Sequence, residues 1–434
     1  LLKLPDCLTF VWVDTNCFHH FINIKKHKNM NQKSNIVPMI ILAALFFIFG
    51  FVTWLNATLI TYFKIAFQLN NFQSLLVAWA FYLSYFIMAL PSSGILKRTG
   101  FKNGMMLGLL VMGIGALLFI PAAKTQTYEL FLIGLFIIGT GLTVLQTASN
   151  PYITIVGPIE SAASRISMMG ICNKTAGVIA PLILSAVILS DGDTLVNQIK
   201  VLPDAEKAIR LSELLSRVIT PYTIMAIVLF ALALFVKLSP LPPIEMEEED
   251  NTQSHDSKTS ILQFPHLILG VIALFLYVGA EVIAADTIGN YGQSQGIPLS
   301  QSKLFPSFTL SAMVVGYIFG IFAIPRIIKQ STALTASAII GVVFSLIAIN
   351  TSGYISVLFI ALLGLANALV WPAIWPLAIH GLGKFTKTGS ALLIMSIIGG
   401  GLLSITYGAL ADIAAIGHKS AYWILIPCYL FILF

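Results

Sequence analysis

The sequence predicts an all-α integral membrane protein of twelve transmembrane helices in two six-helix bundles. Three observations predict it. Hydrophobic residues make up 57% of the 434 and charged residues only 10%, and the mean hydropathy is +0.91. A soluble domain averages about 25% charged, so this chain has too little polar matter to meet water on all sides. Long apolar runs recur without the alternation of a strand, and in lipid only helices or closed barrels satisfy their own backbone. Finally, three charges, Lys174, Glu281 and Asp286, lie deep inside those runs. Each costs about 2.5–3.5 kcal/mol at a helix centre even on gentle insertion scales, so they are expected to face protein or water and to work there.

The elements follow in order. Residues 1–37 read as a cytoplasmic N-terminal segment. The chain opens at Leu1, its first Met is Met30, and the apolar run Cys7 to Val13 is too brief to cross a bilayer. No small-residue cleavage site follows, so 1–29 is read as upstream translation or an unstructured tail and not as a signal peptide. Apolar runs at 38–62, 74–96, 105–123, 130–156, 166–190 and 219–238 form a first bundle, 38–239. Pro240, Pro242, Pro243 and the acidic run Glu245, Glu247, Glu248, Glu249 and Asp250 mark 240–265 as a solvated cytoplasmic linker with no apolar face to bury. Runs at 266–290, 306–328, 332–349, 355–380, 388–411 and 420–434 form a second bundle, 266–434. The last run falls short of the ~20 residues a span needs, so this helix is expected to be truncated.

Basic residues set the orientation. With the N-terminus inside, Lys97, Arg98, Lys102, Arg165, Lys237, Lys258, Arg326, Lys329, Lys384 and Lys387 are cytoplasmic. Lys64, Lys124, Lys303 and Lys419 fall outside, with four more in the long 191–218 loop, which counts for less. The net charge of +6 has no basic groove and no interleaved aromatics, which excludes a nucleic-acid partner. Cys7, Cys17, Cys172 and Cys428 show neither metal-ligand spacing nor a disulfide pattern. No nucleophile motif, metal-spaced His set or phosphate loop appears, so the chain does not read as an enzyme, and His380 and His418 read as interface residues.

The halves read as parallel repeats, as in a two-bundle transporter. Gly50 and Thr58 in span 1 register with Gly279 and Thr287 in span 7, which sets Ala57 against Asp286. Gly139 in span 4 registers with Gly364 in span 10, and Asn150-Pro151 with Trp375-Pro376.

Candidate transport residues follow from side-chain chemistry. Gln146 and Asn150, four apart, share a helix face beside Pro151, which frees a carbonyl at membrane depth. Uncharged amides with aromatic faces are the inventory that sugar hydroxyls need; interhelical glue is the alternative. Asn367, Trp371 and Trp375 in span 10 offer an amide and two indoles on one face, too deep for interface anchors. Asn56 and Asn173 complete the amide set. Glu281 lies near mid-depth and Asp286 nearer the outer end. A carboxylate facing an alternately open cavity suits proton coupling, with Glu281 the first candidate and Asp286 the second, or a sodium ion with its preference for oxygen ligands. One acid is expected to neutralise Lys174, which leaves at least one without a cationic partner inside the spans. Gly399-Gly400-Gly401 in span 11 reads as a tight contact between bundles.

Four stretches carry a family resemblance: FFIFGFVTWLNATLI (46–60), LQTASNPY (145–152), YVGA (277–280) and LIMSIIGGG (393–401). With these the chain resembles the fucose permease and glucose/galactose transporter family of the major facilitator superfamily, from about 38 to 434. GILKRTGFK (94–102) is similar only to a degenerate form of the superfamily's loop 2–3 motif. The resemblance implies the major facilitator fold, alternating access and cation-coupled uptake of a hexose or deoxyhexose. It also implies departures, because two acids of the fucose permease fall on Ala57 and Gln146 here. Asn173 matches the family's span 5 amide, and Glu281 matches a Glu of the glucose/galactose branch. The coupling charge is therefore expected to have moved to span 7.

The expectation is a monomeric sugar symporter of the bacterial inner membrane, needing a sugar, a coupling proton or sodium ion and the bilayer, with no prosthetic cofactor. Its site would lie between spans 1, 4, 7 and 10. A symporter for fucose, another deoxyhexose or an amino sugar is the alternative. A multidrug exporter on the same fold is disfavoured by the amide-rich spans, and a sensor without transport is the remaining class.

Overall fold

The computed structural model of the chain describes residues 36–155, 162–241, 260–323, 328–382 and 385–434. The N-terminal segment 1–35, the acidic run Glu245 to Asp250, Lys258, Arg326 and Lys384 lie outside the described residues. The described residues are helical, with no strand among them. The first half comprises α1 (Ile36–Trp54), α2 (Asn56–Ala66), α3 (Asn71–Leu117), α4 (Phe119–Thr125), α5 (Tyr128–Ile155), α6 (Ala162–Ile188), α7 (Gly192–Val201), α8 (Asp204–Ser216) and α9 (Ile219–Leu238). The second comprises α10 (Pro265–Asp286), α11 (Ile288–Ser294), α12 (Leu299–Ser302), α13 (Phe305–Ala323), α14 (Gln330–Asn350), α15 (Gly353–Ala368), α16 (Val370–Ile379), α17 (Thr386–Met395), α18 (Gly399–Asp412), α19 (Gly417–Ala421) and α20 (Leu425–Leu433).

Ten stretches among the described residues are long and apolar enough to cross a membrane. One of them, Asn71–Thr125, has 55 residues, which at 1.5 Å each is more than twice the ~30 Å hydrocarbon thickness. It is broken at Gly100, whose φ of 73° is open to glycine and strained for other residues. Spans 2 and 3 are thus two crossings joined without a loop. Beyond the tenth of these stretches, α19 and α20 follow with a 3₁₀ turn, Tyr422–Ile424, between them. Apolar side chains project outward, Phe322 at 63% and Ile227 at 62% exposure, as a lipid-facing belt requires.

Hydrogen bonds gather the short connections at two ends. At one, here the Asn71 end, Gln73 meets Tyr128, Gln126 meets Ser212, Gln295 meets Gly353, Gln301 meets Tyr354 and Ser352 meets Lys419. At the other, the Gly100 end, Lys102 reaches the Ser239 carbonyl and His266 the His380 carbonyl. The 191–218 stretch, expected as a loop, holds two helices, α7 and α8. Their apolar content is too low for a span, but Leu214 and Leu215 are buried and Tyr62 donates to the Leu214 carbonyl at 2.6 Å.

The internal repeat is visible in packing. A Cβ at Gly139 would stand 2.5 Å from the Phe81 carbonyl oxygen of span 2, and one at Gly364 would stand 2.1 Å from the Thr309 carbonyl oxygen of span 8. Registered glycines therefore receive corresponding carbonyls. Thr61 also donates to Asn290 Oδ1 at 3.0 Å, and these two are 229 residues apart, the same offset that relates Gly50 to Gly279. Equivalent positions of the two halves meet each other, as a near-twofold arrangement demands.

Two helix pairs pack closely across the halves. Spans 5 and 8 meet where Ser307 donates to the Val178 carbonyl at 2.8 Å and Gly170 packs on Tyr317. Spans 2 and 11 meet along Gly400, Gly401 and Gly408, where a Cβ at Gly401 would lie 3.1 Å from Trp79 Cα. Gly399 faces span 7 instead, with a Cβ 2.0 Å from the Phe275 carbonyl oxygen. The three-glycine run thus serves two contacts at once, one within its half and one between halves.

Candidate functional site

Span 1 breaks at Leu55, between α1 and α2, and span 7 at Thr287, between α10 and α11. Span 10 breaks at Leu369, between α15 and α16, where Pro372 has no N–H for the Ala368 carbonyl. These interruptions set polar side chains and freed backbone groups inside the bundle, where irregular backbone is tolerated at membrane depth.

The centre of the site is an ion pair between the halves. Lys174 Nζ of span 5 donates to Glu281 Oε1 of span 7 at 2.5 Å, with both residues buried at 8% and 6% exposure. The Lys174 ammonium also stands 4.3 Å from the Trp54 ring centroid of span 1, a cation–π contact. Glycine makes this possible. A Cβ at Gly50 would come 2.0 Å from the Asn173 carbonyl oxygen, and one at Gly177 2.5 Å from Trp54, so spans 1 and 5 approach backbone to backbone.

Aromatic residues surround Glu281. Tyr277 lies one turn earlier on the same helix, and Tyr82, Tyr317 and Tyr429 lie within electrostatic reach of the carboxylate. Tyr277 packs against Trp371 at 6.5 Å, and Trp371 stacks on Trp375 at 5.4 Å with 20° between planes. Tyr429 donates to Asn367 Oδ1 at 2.9 Å, so that amide is held by span 12 while its Nδ2 remains unpartnered.

Asp286 differs from Glu281. It is 1% exposed, and neither carboxylate oxygen has a hydrogen-bond partner. The structure thus decides which acid pairs with Lys174 and which stands alone. The remaining amides are buried but not joined to the ion pair. Gln146 Oε1, Asn56 Nδ2 and Asn173 Nδ2 are buried and unpartnered, and Asn150 is half-buried on the same helix as Gln146. Five buried amide and indole groups, these three with Asn367 Nδ2 and Trp54 Nε1, therefore lack partners. Buried polar atoms are ordinarily bonded, so these groups are candidates for bonding a polar ligand.

Trp54, Tyr277, Tyr82, Tyr317 and Tyr429 did not emerge from the sequence as site residues. Trp54 lies two positions before Asn56 and Tyr277 four before Glu281, so spacing on a shared face was the available signal for Tyr277. Nothing in the linear order points to the other three.

The sequence profile of the Major Facilitator Superfamily matches residues 41–406. The chain belongs to the major facilitator superfamily. It is 36% identical over 408 residues to a glucose/galactose transporter of Brucella abortus biovar 1 (strain 9-941), covering 93% of this chain and 94% of that one. It is 31% identical over 390 residues to the L-fucose-proton symporter of Escherichia coli K12, covering 88% and 89%. Among solved structures it is similar to FucP, a major facilitator transporter in the outward conformation, with TM-score 0.72, 30% identity and coverage of 92% and 98%. The D-xylose-proton symporter, at 14% identity and TM-score 0.64, shares the fold.

Proposed function

We propose that this major facilitator protein is a monomeric, proton-coupled carrier that takes up a hexose of the glucose/galactose type across a bacterial inner membrane by alternating access. The two halves are bundles of residues 38–239 and 266–434, joined by the cytoplasmic linker 240–265. The Gly100 end, with Lys97, Arg98 and Lys102, is cytoplasmic, and the Asn71 end faces outward. The Lys174–Glu281 pair carries this reading: it joins the two halves and leaves Asp286 buried without a partner.

The chemistry follows from charge. Lys174, Glu281 and Asp286 together hold a net charge of −1, and one proton on Asp286 makes the trio neutral. A neutral centre passes between the two access states at low electrostatic cost, whereas a lone buried carboxylate does not. Asp286 is therefore the proton carrier, and the Lys174–Glu281 pair registers the relative position of the halves. Sugar hydroxyls bond to Asn56, Gln146, Asn150, Asn173 and Asn367, and the Trp371–Trp375 stack covers the ring face. The protons of the fucose symporter relatives favour a proton over sodium as the driving ion.

Reconstituted vesicles test this with radiolabelled D-glucose, D-galactose and L-fucose under separate proton and sodium gradients. Asp286→Asn and Glu281→Gln should abolish uphill accumulation and leave counterflow of the accepted sugar. Accumulation that survives Asp286→Asn removes the proton assignment.

A further inference from the structure

We propose that buried hydroxyls of Thr287, Tyr422 and Tyr407, continued by the His418 imidazole, form the path by which a proton travels between the Asn71 end and Asp286. The inference rests on Asp286 as the coupling carboxyl.

The groups form a row drawn from three elements. Thr287 follows Asp286 at the break of span 7, and its Oγ1 lies 2.8 Å from the Tyr422 hydroxyl of span 12. The ring of Tyr407, in span 11, lies 4.8 Å from that of Tyr422, so Tyr422 stands between Thr287 and Tyr407. Tyr407 also donates to the His418 carbonyl at 3.3 Å and lies 3.5 Å from His418 Nδ1. Thr287, Tyr407 and Tyr422 are each at most 2% exposed, whereas His418 is half-buried in α19, the short helix between α18 and α20. Lys64 and Asp412, both at the Asn71 end, are the charged groups within reach of His418. Glu281 and Lys174 are those within reach of Asp286, and Tyr82 the titrating hydroxyl beside it.

Three features favour conduction over simple packing. The row starts beside the buried carboxyl that lacks a partner and ends at a group near the surface. Its length suits the distance, because α11 adds only about 10 Å of helix between Asp286 and the Asn71 end. Each member can also receive a proton on a lone pair while releasing its own, and hydroxyls turn freely enough to reset. Thr287 now donates to the Ile283 carbonyl at 2.7 Å, and rotation about its Cβ–Oγ1 bond re-aims that hydrogen with the oxygen kept beside Tyr422. The transfer moves one proton along the row and changes no group's oxidation state.

The test uses the full chain in vesicles and the hexose that the unaltered protein accumulates. Tyr422→Phe and Thr287→Val keep nearly the same shape and interrupt the row. Each should slow proton-driven uptake by about tenfold or more and alter its sensitivity to heavy water, with counterflow at equal pH kept within about twofold. Unchanged gradient-driven uptake in both variants overturns the path. Parallel loss of uptake and counterflow in both also overturns it, because the hydroxyls then serve packing. Asp286→Asn separates the two ideas: if it uncouples transport while the hydroxyl variants behave as wild type, only the path fails. If it still accumulates sugar, the coupling assignment fails and the path loses its terminus.

Discussion

Lys174 holds the only positive charge placed inside the spans by the sequence, and its partner decides what the neighbouring acids can do. An ion pair buried this deeply is costly to break from one side. Lys174→Met leaves Glu281 buried and uncompensated, so it should lower stability by about 3–5 kcal/mol, while Lys174→Met with Glu281→Leu should recover most of that loss. Thermal unfolding in detergent measures both, and equal losses in the single and double variants would show that the charges do not interact. The sequence set one cation against two acids at membrane depth and so required an unpaired acid. Which acid it was depended on the approach of spans 5 and 7, a distance that hydropathy does not contain. Gln146 and Asn367 were legible because amides are rare in apolar runs; Trp54 and Tyr429 were not, because aromatic residues in such runs are common.

Helix contacts, at the next scale, depend on glycines whose role is invisible until the neighbour is known. Gly50→Val would drive a side chain into the Asn173 carbonyl oxygen, 2.0 Å from the new Cβ. Backbone cannot yield there without displacing Lys174, so the change should cost at least ~2 kcal/mol and abolish transport. Gly94 provides the contrast: it is exposed on α3 with nothing within 4 Å of a new Cβ. Gly94→Ala should gain up to about 1 kcal/mol from helix propensity and leave uptake unchanged. Expression level, melting temperature and initial uptake rate distinguish the pair. Spans themselves were legible from run length, whereas α7 and α8 were not, since short helices with mixed polarity resemble loops until Leu214 and Leu215 find a surface to cover.

Across the whole molecule, two carboxylates clasp the halves at the Asn71 end. Asp412 accepts from Asn71 N at 2.9 Å, Asn71 Nδ2 at 2.7 Å and Phe72 N at 2.8 Å, at the positive end of the α3 dipole. Asp193 accepts from the Ser300 N–H at 3.2 Å, and Lys303 donates to the Leu189 carbonyl at 2.7 Å. The structure is therefore closed at that end. Asp412→Ala should shift the population towards opening there, seen as a wider distance between spin labels on the α2–α3 and α18–α19 connections. Acid should act in the same direction. Burial holds His418 down to about 4 from its usual 6.5, with Lys64 adding and Asp412 opposing. A closed clasp thus keeps the imidazole neutral, and between about pH 6.5 and 4 an opened one binds the extra proton, so closure weakens as pH falls. Hydrogen bonding to Ser300 holds Asp193 below its usual 3.8, so its share persists above that value and is lost only in stronger acid. Label distances recorded from pH 7 to 4 check the His418 contribution, and constancy across that range would refute it.

Run length and charge scarcity settled that this chain is a helical membrane protein, because cost in lipid is counted residue by residue along the chain. The register of Gly50 with Gly279 likewise disclosed the repeat before Thr61 met Asn290. Pairing was another matter. Only the folded helices decided that Glu281 meets Lys174, that Thr287 meets Tyr422, and that Asp412 closes one end. Those outcomes depend on distances between segments more than a hundred residues apart, and linear order carries no information on them.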